Sequence, residues 1–182
     1  RRNTTASGNV GIGYQAVHEN TEGNKNVGIG YQALYRNTEA VMNTAIGYQA
    51  LYGSSANTSG HRNTAIGNQA LLNISSGTKN TAVGNTAGDD ITTGGNNTLL
   101  GYNAAASSAT VSNEITLGDT NVNRFRIPGL QSSATNGQVM TYNSSSGIIE
   151  LADAAGGASS NVGTGNFIGG TNAGANLASG GN

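Results

Sequence analysis

Over roughly the first two thirds of the chain, apolar residues recur two apart, and the whole pattern returns every 17 residues. Aligned on one glycine, the repeat runs through Gly13, Gly30, Gly47, Gly67, Gly84, Gly101 and Gly118, with spacings of 17, 17, 20, 17, 17 and 17. The frame reads Asn9-Val-Gly-Ile-Gly-Tyr-Gln-Ala-Val17, then Asn26-Val-Gly-Ile-Gly-Tyr-Gln-Ala-Leu34, Asn43-Thr-Ala-Ile-Gly-Tyr-Gln-Ala-Leu51 and Asn63-Thr-Ala-Ile-Gly-Asn-Gln-Ala-Leu71. Asn80 and Asn97 open two diverged copies, and Glu114-Ile-Thr-Leu-Gly118 closes the series. A fixed period of this length is the signature of a solenoid. An apolar spacing of two, with two or more glycines per coil, excludes helix, where each interior Gly costs about 1 kcal/mol.

The columns of the alignment predict which way each position faces. The residue before the repeat glycine is Ile12, Ile29, Ile46, Ile66, Val83, Leu100 and Leu117, aliphatic in every coil, and is expected to form the core. Two residues earlier stand Val10, Val27, Thr44, Thr64, Thr81, Thr98 and Ile115, all β-branched, as a strand favours. Between these columns lie the small residues Gly11, Gly28, Ala45, Ala65 and Ala82, which predict a strand covered on both faces and closely approached on the small one. One face is expected to line the roll and the other a trimer axis. Each coil is expected to hold two strands of five or six residues, with turns at segments such as Thr21-Glu-Gly-Asn-Lys25 and Ser75-Ser-Gly-Thr-Lys79. The single 20-residue coil carries a longer turn, Ser54-Ser-Ala-Asn-Thr-Ser-Gly60. Parts 1–118 thus form the repeat domain.

Composition changes the picture in one respect. Leu, Ile, Val and Phe make up only 32 of 182 residues, yet the net charge is −1, so the chain lacks the charge that accompanies disorder. One 17-residue coil buries too little to offset its own ordering entropy. Stacked Asn, Thr and Tyr ladders and intertwining into a homotrimer are expected to supply the rest. The near-zero charge also leaves no footprint for nucleic acid. No apolar run approaches the roughly 20 residues of a membrane span, and with no cysteine there are no disulfides.

These repeats resemble the Asn-Thr-Ala-rich head-type repeats of bacteriophage tail fibres and, more distantly, the β-roll head repeats of trimeric autotransporter adhesins. The resemblance covers residues 9 to 118 and restarts near 161. It implies an all-β, left-handed parallel β-roll, wound as a trimer and serving host attachment, with the virion as location, self as partner and host surface polysaccharide as a further one. An extracellular or bacterial cell-surface adhesin is the alternative. Tyr-Gln or Asn-Gln follows the repeat glycine here, where autotransporter heads continue with serine, which favours the fibre.

Residues 119–160 leave the repeat and contain the only proline, Pro128. They read as a connector: a β-hairpin at 137–151, similar to hairpin modules between phage-fibre repeats, and then a Gly/Ala/Ser linker. Asn166-Phe-Ile-Gly-Gly-Thr-Asn-Ala-Gly174 restarts the coil wording, so 161–182 reads as the beginning of a second roll.

Candidate chemistry is sparse. Asp89-Asp90 is the only adjacent carboxylate pair, without a calcium-roll motif around it, and reads as a solvated turn. His18 and His61 have no second ligand at metal-binding spacing. No serine has a nucleophile context, so the expectation is of a non-enzymatic chain without catalytic, cofactor-binding or metal-binding residues. Tyr14, Tyr31, Tyr48 and Tyr102 fall in one column and Tyr35 and Tyr52 in another, arrangements that suit packing ladders better than sugar-stacking strips.

Overall fold

The computed structural model describes residues 5–54 and 59–126, together with the backbone of 138–143 and 148–153. The chain divides into two units, residues 1–123 and 124–182. The first is a parallel β-solenoid, and among the described residues there is no helix.

Seven three-residue strands stack in chain order into one sheet: β1 (Val10–Ile12), β2 (Val27–Ile29), β3 (Thr44–Ile46), β4 (Thr64–Ile66), β5 (Thr81–Val83), β6 (Thr98–Leu100) and β7 (Ile115–Leu117). Every pair is parallel and in sequence register, Ile29 on Ile46 and Ile46 on Ile66 for example, so each coil advances the chain by one strand. The 20-residue coil keeps register, with Thr44, Ala45 and Ile46 paired to Thr64, Ala65 and Ile66.

The remainder of the coil differs from the expected second strand. After the repeat glycine the backbone alternates through left-handed residues: Gln15, Gln32, Gln49 and Gln69 at φ 50° to 55°, and Val17, Leu34, Leu51 and Leu71 at φ 49° to 55°. Left-handed φ costs a non-glycine residue roughly 1–2 kcal/mol. Here the neighbouring coil enforces it, since Gln32 N–H donates to Tyr14 C=O (2.9 Å) and Leu34 N–H to Ala50 C=O (3.1 Å). The inter-coil ladder therefore continues around the bend although the dihedrals are no longer extended, and a period of two in the sequence outlasts the strand.

The repeat glycines have a steric reason. Gly13 through Gly101 sit at φ 123° to 143°, and a Cβ on Gly13 would lie 2.6 Å from the carbonyl oxygen of Gly30. No side chain fits between coils at that point.

The interior of the roll is narrow. Ala45, Ala65, Ala82 and Leu99, the middle residues of β3 to β6, are fully buried and face Leu34, Leu51 and Leu71 from the opposite wall. Beside them runs a buried asparagine rail. Asn26, Asn43, Asn63, Asn80 and Asn97 each accept the backbone N–H of the equivalent residue one coil on, at 2.8 to 3.0 Å. Each also donates its amide to a turn carbonyl, of Ala40, Gly60, Gly77, Gly94 and Val111 in turn, at 2.7 to 2.9 Å. A short side chain offering one donor and one acceptor meets both demands of a dry turn.

In the second unit, β8 (Gln138–Asn143) pairs antiparallel with β9 (Ile148–Asp153), from Gln138↔Asp153 to Asn143↔Ile148. The expected linker and the coil pattern of 161–182 lie outside the described residues.

Candidate interaction surface

Strand residues i and i+2 share a face, so the small interior residues force their neighbours outward. Ile12, Ile29, Ile46, Ile66, Val83, Leu100 and Leu117, expected as core, lie on the outer face of the roll. Six of them are 37 % to 58 % exposed, and Ile29 is half-buried. The assignment of faces is inverted, and the reason is volume. A roll of 17-residue coils has room for one layer of side chains from each wall. Val17 and the leucines fill it, leaving Gly or Ala across from them: a Cβ on Gly28 would come within 2.7 Å of Val17 Cγ2, and the larger Leu99 of β6 is admitted where Gly88 stands in the leucine column.

The outer face is consequently apolar and in register. Val10, Val27 and Ile115, with the threonines 44, 64, 81 and 98, flank the aliphatic column. Tyr14, Tyr31 and Tyr48 follow one turn on and stack at 5.4 and 5.2 Å between centroids, with interplanar angles of 16° and 7°. Asn68 and Asn85 interrupt that column before the exposed Tyr102. Next to the tyrosines, Gln15, Gln32, Gln49 and Gln69 link side chain to side chain at 2.9 to 3.3 Å.

The second aromatic column is longer than the tyrosines alone suggested. His18 stacks on Tyr35 at 5.1 Å and 2°, Tyr35 on Tyr52 at 5.2 Å, and the Arg36 guanidinium lies 5.1 Å from the Tyr52 ring. His18 occupies the same repeat position as Tyr35, one coil earlier, and that alignment was the signal available for it. The buried asparagines carried a similar signal, because an invariant Asn opens the first six coils.

Among the described residues no group of three His, Cys, Asp or Glu could hold a metal ion. Asp90 accepts the Ala106 N–H at 3.3 Å, and burial, followed by the adjacent Asp90 carboxylate, pushes the Asp89 carboxyl up from its ordinary value. Hydrogen bonds from Ser107 hold the Glu114 carboxyl below its ordinary value. His61 Nδ1 accepts the Val41 N–H at 3.0 Å. No described helix is long and apolar enough to cross a membrane.

No protein-family model matches the chain, and neither a curated protein nor a solved structure matches it.

Proposed function

We propose that the chain is a structural segment of a homotrimeric bacteriophage tail fibre or comparable attachment appendage, in which three copies bring their outer strand faces together. The observation carrying this reading is the exposed aliphatic column, continuous over seven strands and flanked by β-branched residues. A contiguous apolar stripe of this length marks an interaction site. Its occupant is best supplied by identical chains, because an in-register column meets an identical column at every level. Completing the burial of seven half-exposed aliphatic side chains stabilises an assembly by roughly 4–8 kcal/mol per chain. The role is mechanical: seven strands rise about 30 Å, a short stiff module in a longer shaft, carrying no reaction of its own. A left-handed winding and a hairpin between successive rolls complete the expectation, with the virion as location.

Immunogold labelling of the source particles with antibody raised against the purified chain tests this. Label along a particle's fibre is the expected result. Label on a bacterial outer surface would replace the phage fibre by an adhesin head, and label confined to soluble protein would overturn both.

A further inference from the structure

The one irregular coil carries the most distinctive side-chain cluster outside the ladders. Its longer turn is followed by His61-Arg62, and the next coil places Thr78-Lys79 in the same two columns. Together with Val41 of the preceding coil, these residues line a cleft of about 180 Å³, with no carboxylate in its wall. Such a space holds several waters and exceeds what a bare oxyanion requires. Insertions in solenoids fall on one face, often the binding face.

The cleft is rigid at its base. Arg62 and Lys79 have left-handed backbones, φ 59° and 60°, and their N–H groups donate to Val41 and His61 carbonyls, both at 3.0 Å. The imidazole is oriented too, because Nδ1 accepts the Val41 N–H and the ring's proton therefore stands on Nε2. Two cationic residues, an oriented imidazole and Thr78 thus border one cleft beside the apolar Val41. Convergent polar groups on a partly apolar wall are what a small-ligand pocket requires.

We propose that this cleft binds one acidic sugar residue, its carboxylate held between Arg62 and Lys79 and its ring set against Val41 and His61. A guanidinium engages a carboxylate with two parallel hydrogen bonds, and the ammonium adds a second charge. The imidazole and the threonine hydroxyl are left for the sugar hydroxyls. Neither trimerisation nor the fibre role enters this reasoning.

The test is calorimetric titration of the full chain at low salt with glucuronate, glucose and inorganic phosphate in parallel. Glucuronate is expected to bind at least tenfold more tightly than either of the others, and more weakly as salt is added. The double variant Arg62→Asn/Lys79→Asn is expected to weaken glucuronate at least tenfold without lowering the melting temperature. Asn suits these positions because Asn96 and Asn113 hold the same column at φ 59° and 65°. Lys25→Asn, in that column but away from the cleft, is expected to leave binding unchanged. Absence of glucuronate binding, glucose or phosphate binding equally well, or a double variant that binds like the parent would overturn the proposal.

Discussion

Asn63→Leu probes what holds one coil on the next. Asn63 is fully buried. Its Oδ1 accepts the Asn80 N–H at 2.9 Å and its Nδ2 donates to the Gly77 carbonyl at 2.9 Å. Leucine fills a similar volume but leaves that donor and that acceptor dry and unpaired, while the Asn63 N–H keeps its bond to Asn43. Each orphaned group costs about 1–3 kcal/mol, so the variant is expected to lose about 2–6 kcal/mol. The damage is local, since a solenoid coil couples mainly to its neighbours. Urea unfolding followed by circular dichroism gives the magnitude, and amide hydrogen exchange gives the place, with protection falling first at Asn80. Asn9→Leu, at the half-buried end of the rail, is expected to cost less. A loss under about 0.5 kcal/mol for Asn63→Leu, or equal losses at both sites, would refute the claim that the rail is a dry, obligatory bonding line.

Three further outcomes follow from the same geometry. Asn63→Asp keeps the acceptor but opposes a carboxylate to the Gly77 carbonyl, so it is expected to be strongly destabilising at neutral pH and partly restored in acid, where a protonated oxygen can donate; a pH series of melting curves shows this. Gly30→Ala forces a side chain to φ 129° and to 2.7 Å from the Gly47 carbonyl carbon, and is expected to cost more than about 2 kcal/mol in urea unfolding. Asp89 has a folded-state carboxyl raised by burial and by Asp90, so its charged form opposes folding above that value and the opposition fades as pH falls through it. Asp89→Asn is therefore expected to raise the melting temperature near pH 7 and to have little effect in acid. A pH-independent change would contradict that cause.

The repeat glycine and the period of 17 were legible, because both depend on spacing alone. The direction of the strand faces was not. An aliphatic column such as Ile46 and Ile66 reads as core wherever a chain must bury its own apolar residues, and alternation cannot say which of two faces is inside. What decides it is the width of the roll, and that width is set by Leu34, Leu51 and Leu71 on the far wall. The missing second strand has a similar origin. Gln49 and Leu51 carry no sequence mark of left-handed backbone, a conformation imposed here by the inter-coil bonds. The tyrosine columns show in the repeat alignment, and so does the place of His18, one period before Tyr35, although a histidine does not by itself announce a stacking partner. The cleft at His61, Arg62 and Lys79 was hidden for a different reason, since its residues are 17 positions apart and meet only through the register of the coils.

The outer aliphatic face is the element on which the functional reading turns, and sedimentation equilibrium on the purified chain and on its Ile46→Asp variant tests it directly. The parent chain is expected at three times its 18.2 kDa mass, and the variant at that of a single chain. A parent that stays monomeric at high concentration, or a variant that assembles as the parent does, would contradict it.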